Sequence, residues 1–214
     1  MAEKFQNKYR MQSNRMPKWD YSGNGVYFIT IVTQNRVCNL GHINNGKMIF
    51  SEFGKIINDE WLKSFEIRNE LFLDEYIIMP NHLHAIVVLD NTQTTNNGSH
   101  DRNVGLHGRV NLHYPNYPFQ QPVEQPKFIR KPKSISSFIA GFKSVINTKI
   151  DDYIDEHNLN IPKYNRKNHF FQSNYYDHII RNESEYHRIK EYIINNPIKW
   201  ENNKLNSTNK TTKS

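Results

Sequence analysis

The chain has a single cysteine, Cys38, among its 214 residues. An internal disulfide is therefore excluded, and so is a cysteine-based zinc site. Cys38 itself reads as a small buried apolar residue. No stretch approaches the roughly 20 consecutive apolar residues that a membrane helix needs, and the first residues, MAEKFQNKYRMQSNRMPKWD, contain no apolar core of a secretory signal. No internal repeat is present, nor the aromatic signature of an RNA-recognition sheet. Hydrophobic residues amount to only 36%, so long polar stretches must lie outside the core.

What is present is basic. Lys and Arg total 28 against 21 Asp and Glu, a net charge of +7, and such a balance fits a polyanionic partner. Along the chain, residues 1–20 read as a basic arm and residues 21–200 as one domain. Residues 26–33, VYFITIVT, form a strand by their β-branched and aromatic content. The NNGK segment turns between two short extended pieces within 36–50. Ser51 can cap a helix running to about Ser64, in which Phe53, Ile56, Ile57, Trp61 and Phe65 recur at helical spacing. Residues 71–90 read as two strands broken at Pro80-Asn81. Residues 91–130 lack apolar periodicity and read as a flexible insertion. A second helix spans Ser134 to about Ile154 on the stripe Ile135, Phe138, Ile139, Phe142, Val145, Ile146, Ile150 and Tyr153. A basic loop follows over 156–169, then a short strand within 169–181. A last helix opens at Asn182, with Glu185 in capping-box position, and Pro197 ends it. Residues 201–214 read as a disordered tail. The order of elements predicts an α+β, ferredoxin-like βαββαβ domain with an antiparallel sheet and an added C-terminal helix.

Two features carry chemistry. His82 and His84 flank Leu83 at the start of a strand, so both imidazoles face one side. Their Cβ atoms should lie roughly 6–7 Å apart, close enough to share one divalent ion. Ordinary strand histidines would show the same spacing. On the last helix Tyr192 and Asn196 are four apart and share a face if the final turn holds. That would place a nucleophile beside a ligating oxygen. The same Tyr192 could equally pack as core with Tyr186, Ile189 and Ile193.

Four segments together resemble the REP-associated tyrosine transposases, relatives of the smallest single-tyrosine insertion-sequence transposases that carry a His-hydrophobic-His (HUH) motif. They are WDYSGNGVYFITIVTQNR (19–36, with Trp19 where the family has tyrosine), YIIMPNHLHAIVVL (76–89), FIAGFKSVINTKI (138–150) and FFQSNYYDHIIRNESEYHRIKEYIINNPIKW (170–200). The resemblance runs from about Trp19 to Trp200, and the 91–130 insertion and Asn-rich tail depart from it. It implies His82 and His84 as metal ligands, Tyr192 as the nucleophile and Asn196 as the third ligand. It makes Tyr175-Tyr176 packing or DNA-contacting residues. It further implies a divalent cation, Mg²⁺ or Mn²⁺, a 5′-phosphotyrosine intermediate, and single-stranded DNA beside a hairpin as substrate. A homodimer, or successive reactions, would join two ends. The expected basic contacts are Lys143, Arg166, Lys167 and the arm's Lys8, Arg10, Arg15 and Lys18. The expected location is cytoplasmic and nucleoid-associated, with no membrane. A non-catalytic nucleic-acid binder and a nuclease that uses water in place of Tyr192 are the competing readings.

Overall fold

A computed structural model describes residues 19–92 and 132–206, together with the backbone of 4–5 and 8–9. In chain order the elements are β1 (Lys4–Phe5), β2 (Lys8–Tyr9), β3 (Gly25–Val32), β4 (Gly41–Asn44), β5 (Lys47–Phe50), α1 (Glu52–Ile67), β6 (Leu71–Met79), β7 (His82–Leu89), α2 (Ile135–Glu156), β8 (Tyr176–Ile180) and α3 (Glu183–Ile194). Four strands form the main sheet in the order β6-β7-β3-β8. Each neighbouring pair is antiparallel. Numbered by their own order, the strands lie 2-3-1-4, the ferredoxin-like arrangement expected from the sequence.

Alternation along the strands divides the core in two. On one face Tyr27, Ile29 and Ile31 of β3 and Leu83, Ala85 and Val87 of β7 pack with Trp61 of α1 and with Phe138, Ile139 and Phe142 of α2. On the other, Val26, Ile86, Val88 and Ile180 meet Tyr186, Ile189 and Ile193 of α3. Helices α1 and α2 therefore cover one side and α3 the other. Both nucleating caps form as their residue types require. Ser51 Oγ accepts from the Gly54 N–H, and Asn182 Oδ1 accepts from the Glu185 N–H. The Glu185 carboxylate reaches the Arg181 N–H one residue beyond the expected cap, and also pairs with His178. The NNGK turn joins β4 to β5 with Asn45 and Gly46 both at positive φ, which two-residue hairpins demand.

Several details differ from the sequence reading. Cys38 is exposed, because it lies in the irregular stretch between β3 and β4 and faces away from both cores. The arm contains the small paired strands β1 and β2. Residues 201–206, placed in the polar tail by composition, fold back on the domain and bury Asn206. Backbone and amide hydrogen bonds do there what apolar residues did not advertise. The 91–130 insertion, apart from its first two residues, and Lys18, Arg15 and Arg10 lie outside the described residues. Among the described residues no helix is long and apolar enough to cross a membrane.

Candidate active site

The α3 side of the sheet holds the chemistry. His82 and His84 stand on β7 opposite Val32 and Thr30 of β3, and their rings lie 4.5 Å apart, centroid to centroid. Both are buried. Burial pushes the His84 imidazole down to about 3. It also holds His82 well below its ordinary value, with the neighbouring His84 and the Arg36 guanidinium adding to the effect. Both rings are therefore neutral at physiological pH, the state in which imidazole offers a lone pair to a metal.

His84 is held on both sides. Its Nδ1 lies 2.7 Å from Thr30 Oγ1, and its Nε2 lies 3.2 Å from the Tyr192 hydroxyl. Tyr192 is 43% exposed, whereas Tyr186, Ile189 and Ile193 on the same helix are buried. The core-packing alternative for Tyr192 is thereby removed. Its ring meets both Phe28 and His84 edge-on. His82 has a different environment. Its Nδ1 lies 2.8 Å from Asn81 Oδ1, the Trp200 ring flanks it at 5.9 Å, and its Nε2 is buried with no hydrogen-bond partner.

Asn196 lies just beyond α3, after the C-cap Asn195, so the final helical turn stops short of it. It is nonetheless buried. Its Oδ1 accepts from Asn203 Nδ2 at 2.7 Å, and its Nδ2 has no partner. Among the described residues no group of three or more His, Cys, Asp or Glu side chains could hold a metal ion. The donors that the geometry brings together are the two imidazoles of His82 and His84. An orphaned, buried Nε2 beside a second neutral imidazole fits a divalent transition-type cation.

Of the expected basic residues, Lys143, Arg166 and Lys167 are among the described ones. Lys143 sits on α2, across the sheet, and its ammonium donates to the carbonyls of Gln172, Ser173 and Asn174. It holds the segment leading into β8. Arg166 and Lys167 are exposed in the loop between α2 and β8. Tyr175 is buried and Tyr176 is exposed on the edge strand. Sequence reasoning missed Thr30, Arg36, Asn81, Trp200 and Asn203. Asn81 was visible only as half of a strand breaker, and the others carried no local signal.

Fold and site together define an α+β protein with a strand-borne histidine pair set against a helix-borne tyrosine. The chain belongs to the same family as an uncharacterized protein of Haemophilus influenzae, to which it is 31% identical over 200 residues, spanning 92% of this chain and 93% of that one. No family model matches the chain. Among solved structures it is similar to the REP-associated tyrosine transposase bound to a REP hairpin, at 15% identity and a TM-score of 0.44, covering 90% of this chain and 73% of that one. It is also similar to a candidate transposase of Deinococcus radiodurans, at 14% identity and a TM-score of 0.40, covering 81% and 91%.

Proposed function

We propose that the protein cleaves and rejoins single-stranded DNA beside hairpins, with Tyr192 as nucleophile. The reading rests on one observation above all: the exposed Tyr192 hydroxyl lies 3.2 Å from Nε2 of His84, the histidine paired with His82 on one strand face. The sequence resemblance to the single-tyrosine transposases supports the same assignment.

His82, His84 and Asn196 would hold Mg²⁺ or Mn²⁺, two imidazoles favouring Mn²⁺. A cation bound there would neutralise charge building on the non-bridging phosphate oxygens. The phenolic oxygen of Tyr192 attacks phosphorus and forms a phosphotyrosine at the 5′ side. The 3′ oxygen leaves and takes a proton, while the phenol gives one up. A second 3′-hydroxyl reverses the step and rejoins strands without ATP, because the phosphodiester's energy is conserved. The His84 Nε2 bond to the phenol belongs to the resting arrangement, since that nitrogen serves one partner at a time. One tyrosine holds one strand end, so joining two ends takes two subunits or successive rounds. Arg166 and Lys167 are the exposed cations proposed to follow the DNA backbone, and Arg36 lies close enough to His82 to bear on its charge.

The test is incubation with labelled single-stranded DNA bearing a hairpin, plus Mn²⁺, followed by a denaturing gel. The expected result is a covalent protein–DNA adduct that Tyr192→Phe abolishes. Cut DNA without an adduct would make the protein a water-using nuclease. Neither product would make it a binder. Both outcomes overturn the proposal.

A further inference from the structure

The segment that composition placed in the tail connects the two ends of the site. Asn81 is fully buried. Its amide nitrogen donates to the Arg36 carbonyl at 3.0 Å and the Leu205 carbonyl at 2.8 Å. Both amide hydrogens are thereby used, so Oδ1 is the end that faces His82 Nδ1. A carboxamide oxygen has no hydrogen to give. Nδ1 of His82 must carry the proton, and the orphaned Nε2 is left as a bare lone pair.

The other end is equally determined. Asn203 Oδ1 accepts from the Leu205 backbone N–H at 2.8 Å, a donor whose identity is not in question. Asn203 must therefore present its nitrogen to Asn196 Oδ1. One continuous path runs from Asn196 through Asn203, Leu205 and Asn81 to His82. One further bond ties the strap to the domain and another closes it on itself. Arg36 Nη1 donates to the Lys204 carbonyl at 3.3 Å, and Asn206 Nδ2 donates to the Trp200 carbonyl at 3.2 Å.

We infer that residues 200–206 are the outer shell of the site, setting through Asn203 and the Leu205 carbonyl the orientation of both Asn196 and His82. The inference rests on the metal-dependent reading above. Asn81 and Asn203 are positioning residues in it. Partners of this kind fix the tautomer and aim of a ligand, and their loss typically weakens metal binding about 10- to 100-fold.

Mn²⁺ binding to the full chain, titrated by electron paramagnetic resonance without DNA, tests this. Asn203→Ala should raise the dissociation constant about 10- to 100-fold, while Ile198→Ala, an exposed position just outside the strap, leaves it unchanged. Nitrogen-15 NMR of the imidazoles supplies a second readout that needs no metal. Wild type should show His82 protonated on Nδ1, and Asn203→Ala should erode that signature from a distance, as Asn81→Ala does directly. Wild-type affinity in Asn203→Ala would overturn the inference. If wild type takes up no Mn²⁺, or His82→Ala takes it up equally well, the metal reading fails instead. The NMR comparison then decides the strap alone: an unchanged His82 tautomer in Asn203→Ala overturns it, and a lost one upholds it.

Discussion

The hydroxyl of Tyr192 and Nε2 of His84, 108 positions apart in the chain, lie 3.2 Å from one another. The contact joins a helix on one side of the sheet to a central strand. It makes the tyrosine part of the histidine site without burying it. Removing the hydroxyl with Tyr192→Phe should therefore cost about 1 kcal/mol of stability or less, the net worth of one partly exposed hydrogen bond, and abolish the adduct entirely. Urea denaturation beside the gel assay measures both. A loss of several kcal/mol would mean that the phenol is structural.

Acid should weaken the fold through the buried histidines. In the folded chain His84 takes a proton only at about 3, whereas in the unfolded chain it does so near 6.5. Between those values the unfolded state binds more protons, so stability falls as pH drops through this window and is fully present above it. His82 acts in the same direction. Urea melts in the presence of a chelator at pH 7.5, 6 and 5 should show the decline. In His84→Gln the slope below pH 6 should flatten by about 1.4 kcal/mol per pH unit, one proton's worth. An unaltered slope would contradict the assignment.

Helix α3 is tied to the far strand by charge. Lys190 Nζ lies 2.8 Å from Asp74 Oδ1, and the carboxylate is almost wholly buried. The bulge between Leu73 and Glu75 is where the register shifts at Asp74. Lys190→Ala leaves that carboxylate without its cation and should cost about 3 kcal/mol. Replacing both residues together with leucine should recover much of the loss. A double-mutant cycle in urea reads the coupling, and a cost below about 1 kcal/mol would show the pair to be solvated.

Gly54 should resist the usual helix-strengthening substitution. Alanine for glycine inside a helix ordinarily stabilises by about 0.5–1 kcal/mol. Here a Cβ would come within 2.0 Å of the Leu40 carbonyl oxygen, and the Leu40 backbone is bonded to Ser51 and Pro80. Gly54→Ala should therefore destabilise by about 1–3 kcal/mol, seen as a lower midpoint in thermal or urea melts. A raised midpoint would show that the hairpin region moves aside without cost.

Local chemistry made most of the fold legible. The β-branched run at 26–32, the breaker Pro80-Asn81, the apolar stripe beginning at Ile135 and the caps Ser51 and Asn182 each act within a few residues, and each element stands where they place it. Period-two alternation alone put His82 and His84 on one face. Lys143 shows the limit. It lies on the polar side of its helix, yet three carbonyls from residues 172–174 claim its charge, and no helical pattern predicts that loop's path. Asn203 and Leu205 are likewise ordinary tail residues until the chain returns to Asn81.

The sequence by itself determined the order of the main-sheet strands and the helices and the shared face of the histidine pair, because these follow from backbone periodicity and short-range hydrogen bonding. Tertiary structure alone decided that Tyr192 meets His84 and is not core, that Asn196 is buried beyond its helix, and that residues 200–206 return to bond Asn81 and Asn196. Those outcomes depend on contacts between segments far apart in the chain, where geometry is set by how α3 crosses the sheet and by which buried amides can satisfy one another.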